Sequence, residues 1–161
     1  MTPVETAEAL QQRLGSAVRD VSLFRGEVSA VVDTQSLIDA CLFCRDEQQY
    51  NFLSDITAVD WLDREPRFEV VYQLTSLVHW SRFRLKVQVE VDERVPTVIP
   101  VWPAANWAER EIWDLFGIEF EGHPDLRRLL LPEGWIGFPL RKDFPQTQIA
   151  LPRPKRDKTV E

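Results

Sequence analysis

Cys41-Leu-Phe-Cys44 is the pairing whose residue types and spacing most directly offer chemistry, because C-x-x-C can form a reversible dithiol. A reactive pair of that kind sits at a helix N-terminus, where the dipole lowers the thiol pKa. Here Leu37, Cys41 and Cys44 share one face of a helix expected over roughly 35–50. That places the cysteines about two turns inside the helix, on its apolar side. Two small core residues are the favoured reading over a redox or metal pair.

Other candidates thin out in the same way. A closed zinc site takes four ligands, and nothing groups His79 and His123 with Cys41 and Cys44. Most iron–sulfur clusters take four cysteines, and the chain has 2. His123, before Pro124, is of a residue type that can carry protons, but such a histidine more often anchors a turn through one ring nitrogen. Glu109, Glu111 and Asp114 resemble acid–base machinery at first sight. With Arg110 beside them on a helix, they read instead as a cap and an ion-paired outer face, Arg110 facing Asp114. No G-x-G-x-x-G or G-x-x-x-x-G-K-[ST] occurs, so nucleotide binding is not expected. The expectation is a chain with no catalytic residue, no cofactor site and no metal of its own.

The elements that would position these residues follow from periodicity. Residues 4–14 read as a short amphipathic helix with Val4, Ala7 and Leu14 as contacts. Val18–Phe24 and Val28–Val32 read as strands joined by a tight turn at Arg25-Gly26. Asp33, Thr34 or Ser36 would cap the cysteine-bearing helix. Ile56–Trp61 reads as a strand, Asp63–Pro66 as a turn, and Phe68–Leu74 alternates apolar with polar. From Arg82 to Asp92 the alternation is cleanest, with Phe83, Leu85, Val87, Val89 and Val91 on one side. Pro96, Pro100 and Pro103 confine Thr97–Trp102 to an edge strand or linker. The fold class is therefore α+β, a mainly antiparallel sheet with helices packed on one face. The body spans 1–105, and residues 106–145 extend the same domain.

That extension organises the chain. Asn106 is a good N-cap with Glu109 at capping-box distance, and Ala108, Ile112, Leu115 and Phe116 form an apolar stripe. Gly117 supplies a left-handed C-cap. Beyond it, four X-Pro steps and Gly134 and Gly137 interrupt regular structure, while Leu126, Leu129, Leu130, Leu131, Trp135, Ile136, Phe138, Leu140 and Phe144 keep it apolar. Such a segment has little ladder for its backbone and too much apolar surface for water. It either folds back over its own domain or becomes ordered against another subunit, and both readings stand open.

Composition fits a soluble globular chain, 44% hydrophobic and 28% charged, with no apolar run long enough for a membrane span. The opening MTPVETAEALQQRL lacks the basic and apolar regions of a signal peptide, so a cytoplasmic location is expected. The net charge of −7 is uneven: residues 1–126 carry 11 Lys/Arg against 22 Asp/Glu, whereas 127–161 carry 8 against 4. A basic tail, 146–161, is expected to be partly disordered. Its cations are spread out and broken by prolines, which favours an acidic protein partner over nucleic acid. Arginine forks at Arg127, Arg128 and Arg141, with Lys142, suit a partner's carboxylates or this chain's own. The 6 tryptophans suit an interface as well as a core.

EREIWDLFGI at 109–118, GHPDLRRLLLPEGW at 122–135 and FPLRKDFP at 138–145 together resemble the signature of the C subunit of NADH-quinone oxidoreductase, the thirty-kilodalton subunit family of respiratory complex I. FLSDITAVDW at 52–61 is also similar to that family. The resemblance implies a non-catalytic structural subunit of the peripheral arm of a proton-translocating enzyme. It would hold the large quinone-site subunit and the cluster-bearing subunits in register, on the cytoplasmic side of the membrane and touching the membrane only through the complex. FMN, iron–sulfur clusters and quinone would belong to partner subunits. The partner-facing positions it implies are Glu109, Arg110, Glu111, Asp114, Phe116 and Gly117 on the helix. In the arm they are His123, Pro124, Asp125, Leu126, Arg127, Arg128, Leu130, Pro132, Trp135, Gly137, Pro139, Leu140, Arg141, Lys142, Asp143, Phe144 and Pro145. Two features depart from the family: QTQIAL follows DFP where a glycine–tyrosine segment is usual, and Cys41 and Cys44 lie outside the resemblance. Related complexes with other electron donors, and membrane-bound hydrogenases, carry similar subunits. A thiol-disulfide enzyme and a basic-tailed nucleic-acid binder are the rivals from other classes.

Overall fold

The computed structural model describes residues 2–145. Its centre is a five-stranded sheet built from β1 (Val18–Phe24), β2 (Glu27–Val32), β3 (Phe52–Asp60), β4 (Phe68–Ser76) and β5 (Ser81–Val89). Their order across the sheet is β1-β2-β5-β4-β3. Three of the pairings are antiparallel; β2 and β5 run parallel, the chain passing between them through a helical segment and the β3–β4 hairpin. The α+β architecture is the expected one, mostly antiparallel with one parallel step.

One face of the sheet is the core. Phe83, Leu85, Val87 and Val89 of β5 oppose Leu74, Tyr72, Val70 and Phe68 of β4, and all are buried. Helices α1 (Pro3–Leu14) and α2 (Leu37–Leu42) contribute Ala7, Leu10, Leu37, Ala40 and Cys41 to the same cluster. The opposite face is polar and laced by cross-strand pairs, Lys86 to Glu69 and Arg84 to Glu27. Glu69 and Val71, expected outward, are nonetheless buried, because β4 is an inner strand and its neighbours' long side chains cover them.

Several boundaries move. Val4 is exposed, whereas Ala7 packs inward as expected, with Thr6 and Leu10 beside it, on a helix that Thr2 caps. The helix expected over 35–50 is a 3-10 turn, the short α2, and a widened π turn at Phe43–Glu47, with no side-chain cap from Asp33, Thr34 or Ser36. It stops at Gln49, whose φ of 60° is left-handed. Strand β5 ends at Val89, leaving Val91 exposed. The proline-rich stretch forms β6 (Val95–Pro96), which pairs in parallel with β7 (Phe120–Glu121) beyond the long helix α3 (Ala105–Phe116). No helix among the described residues is long and apolar enough to cross a membrane. The expected basic tail, 146–161, lies outside the described residues.

Candidate docking site

Helix α3 begins one residue before Asn106, with Ala104 as its N-cap and no side-chain cap. The expected capping box does not form, because a tertiary partner takes its carboxylate. Glu109 is fully buried and accepts from the Thr97 hydroxyl at 2.5 Å and from the Val98 N–H at 2.8 Å. These bonds tie α3 to the segment leaving β6. Burial pushes the Glu109 carboxyl up to about 7, against the pull of its two donors. No cation pairs with it among the described residues.

The face expected to be solvent-paired also turns inward. Arg110 and Asp114 are both buried and do not bond each other. Arg110 donates from Nε to the Arg127 carbonyl and from a terminal nitrogen to the Arg128 carbonyl. One Asp114 oxygen accepts three consecutive backbone N–H groups, from Leu129, Leu130 and Leu131, at 2.8–3.0 Å. Its other oxygen meets Arg128 at 2.7 Å. Burial works against the Asp114 charge, but these donors outweigh it and hold the carboxyl below its ordinary range. Arg128 also donates to the carbonyls of Trp135 and Gly137. A segment without ladder partners thus satisfies its backbone on three side chains, Arg110, Asp114 and Arg128, which answers where its hydrogen bonds go.

The arm is fastened at four more places. Gly117 ends α3 at φ 74°, with the Phe138 ring packed where a β-carbon would stand. His123 has both ring nitrogens engaged: Nδ1 accepts from the Asp125 N–H, which leaves Nε2 to donate to the Asn106 carbonyl. Arg141 donates to the Phe116 carbonyl and lies over Phe138 and Phe68. At the far end Arg67 bridges Asp60 and Asp143 with two bonds to each, and Asp60 also accepts the Lys142 N–H. The Arg67 guanidinium holds the Asp60 carboxyl well below the usual carboxylate range.

Of the two readings of the arm, folding back over its own domain describes how it is held. Glu109, Arg110, Asp114, Phe116 and Arg128, expected to face a partner, instead serve contacts inside the chain. Pro124, Asp125, Arg127, Pro132, Leu130, Leu140, Lys142, Asp143 and Pro145 are exposed; Leu126, Trp135, Gly137, Pro139 and Phe144 are half-buried. Fastening leaves apolar surface outside: Trp107 is 61% exposed, Leu130 60%, Ile136 69% and Leu140 51%. Trp107, Ile136, Asp60, Arg67 and Thr97 are missing from the partner-facing set read from sequence. Asp60 lies in the FLSDITAVDW segment that also resembles the family, which is the one available signal.

The cysteines are elsewhere. Cys41 and Cys44 are unbonded, fully buried, and their thiols are pushed up by burial, the reverse of what a nucleophilic thiolate needs. Among the described residues no three His, Cys, Asp or Glu side chains gather as a metal site requires.

Comparison with known proteins gives this geometry its family. The model described as "Respiratory-chain NADH dehydrogenase, 30 Kd subunit" matches residues 30–150. The chain is 47% identical over 138 residues to the C subunit of NADH-quinone oxidoreductase from Geobacter sulfurreducens, covering 84% of this chain and 85% of that one. It is 48% identical over 145 residues to the subunit of the same name from Brucella ovis, covering 89% and 72%. Among solved structures, a chain of the membrane-bound sulfane sulfur reductase, an archaeal respiratory membrane complex, superposes with a TM-score of 0.69 at 26% identity, over 89% of this chain and 86% of that one. The chain belongs to the 30 Kd subunit family of the respiratory-chain NADH dehydrogenase, the family that includes the C subunit of NADH-quinone oxidoreductase.

Proposed function

We propose that this chain is a non-catalytic structural subunit in the peripheral, quinone-connecting arm of a proton-translocating NADH:quinone oxidoreductase. It holds the quinone-site subunit and the cluster-bearing subunits in register, while FMN, iron–sulfur clusters and quinone reside in those partners. The observation that carries this reading is the arm: its backbone is pinned by Asp114, Arg128 and the Asp60–Arg67–Asp143 bridge, yet Trp107, Leu130, Ile136 and Leu140 remain exposed. Apolar groups on a fixed backbone make a preorganised contact surface, because little ordering entropy is lost on binding. The chain then sits on the cytoplasmic side and meets the membrane only through its partners.

Tagged chain in gently solubilised membranes of its host tests this on a native gel stained for NADH dehydrogenase activity. Comigration with a very large active band is expected; a lone band near 18.8 kDa overturns the reading. A second reading, the equivalent subunit of a complex with another electron donor, is favoured by the likeness to the sulfane sulfur reductase chain. It predicts comigration with a large band that does not oxidise NADH.

A further inference from the structure

Beside the arm, a groove of about 270 Å³ runs between β3 and α3. Ile56, Ala108, Leu129 and the exposed Trp107 line it, and Asp55 and Glu111 stand on its rim. The space is below the roughly 300–1,000 Å³ of small-molecule sites, so it suits a single side chain and not a cofactor. Asp55 and Glu111 are exposed and form no ion pair among the described residues. The neighbouring cations are already engaged: Arg110 serves the Arg127 and Arg128 carbonyls, and Arg128 serves Asp114. Here the unpaired charge is acidic, whereas the sequence offers the arm's arginines to carboxylates of a partner or of this chain.

We infer that this groove receives an apolar side chain of another subunit of the complex, flanked in that subunit by a lysine or arginine that pairs with Asp55 and Glu111. The inference rests on the proposed function and deepens it. Three observations converge on it. The apolar lining continues into the exposed Leu130 patch through Leu129, so groove and arm present one surface. An indole at 61% exposure beside a recess is the kind of anchor that dominates binding energy once a partner excludes water. Two unpaired carboxylates on the rim are complementary to a cation and reject an acidic neighbour, which sets register more than affinity.

A photo-crosslinking benzoylphenylalanine placed at Ala104, and separately at Trp107, in the full tagged chain tests this in its own host. Membranes are irradiated, the complex is isolated, and crosslinked peptides are identified by mass spectrometry. The expected adduct lies on another subunit, within a peptide that carries an apolar residue next to lysine or arginine. Combining Asp55→Lys with Glu111→Lys is expected to lower its yield about fivefold or more, the upper range for rim ion pairs. Charge reversal of the crosslinked partner's cation is expected to restore it. An adduct to residues 146–161 of this same chain, which hold Ile149, Leu151, Arg153 and Lys155, overturns the inference. So does an adduct indifferent to rim charge, or none from either position in a complex that has assembled; both leave the proposed function standing. A chain absent from any complex defeats both.

Discussion

Arg128 and Asp114 meet at 2.7 Å with the carboxylate wholly out of solvent, and three successive backbone N–H groups close on the same carboxylate. This pair does for the arm what a strand partner does for an ordinary segment. Asp114→Asn removes the buried charge that four donors share and leaves the half-buried Arg128 with carbonyl acceptors only. Breaking such a pair costs about 3–5 kcal/mol. Thermal unfolding of the variant is expected on the order of 10 °C lower. An unchanged midpoint would mean the arm is not held there.

Arg67 links Asp60 at the end of β3 to Asp143 in the arm, beside the Lys142 N–H that Asp60 also accepts. Arg67→Gln is expected to speed amide exchange at Lys142 and its neighbours while sheet amides keep their protection, because only local opening is made easier. The same bridge sets an acid limit. Asp60 has a folded pKa below its ordinary value, so its contribution is present above about pH 4 and lost as pH falls further. The acid-induced loss of stability should shrink in the variant, which a pH series of denaturant melts reads directly.

Glu109 gives the opposite sign. Its folded pKa, about 7, lies above the ordinary 4.5, so the folded chain binds the extra proton between those values. Stability therefore falls as pH rises from about 4.5 to 7 and levels off above, by up to about 3 kcal/mol. Glu109→Gln, which keeps an acceptor for the Val98 N–H, is expected to flatten that slope. It is also expected to be the more stable protein at pH 8. Denaturant unfolding at pH 5 and pH 8 separates the two proteins.

Cys41 and Cys44 are expected to resist thiol reagents in the native state and to react at a rate set by unfolding, because burial disfavours the thiolate. Rapid native-state modification at neutral pH would reopen the dithiol reading.

Gly117→Ala is expected to destabilise the chain by roughly 1–3 kcal/mol, since the position is left-handed and the Phe138 ring occupies the space of the new methyl. Equilibrium unfolding measures it, and loss of Phe138 packing should appear first in the arm.

Much of what depends on near neighbours is legible in the sequence. The alternation in β5 as far as Val89, the Arg25-Gly26 turn and the Gly117 cap are local patterns, and they stand where spacing puts them. The start of α3 differs for a non-local reason: Asn106 and Glu109 have the right spacing for a cap, but Thr97 and Val98 outcompete it for the carboxylate. Arg110 and Asp114 likewise have the spacing of a surface ion pair. An arm with unpaired backbone draws both inward, and no helical periodicity reports that. The Arg67–Asp143 contact spans 76 residues, beyond any local rule. Family resemblance marks the arm as important, whereas only the structure divides it into side chains that hold it and side chains that face out.

The most direct test separates those two roles. Trp107→Asp combined with Ile136→Asp alters only exposed side chains, so the purified chain should keep its unfolding midpoint within the range of ordinary surface changes, about 0.5 kcal/mol. The account predicts that this folded variant, tagged and expressed in place of the original, no longer comigrates with the NADH-oxidising band on a native gel. Comigration at the original level would contradict the claim that the fastened arm is the surface through which this subunit joins its complex.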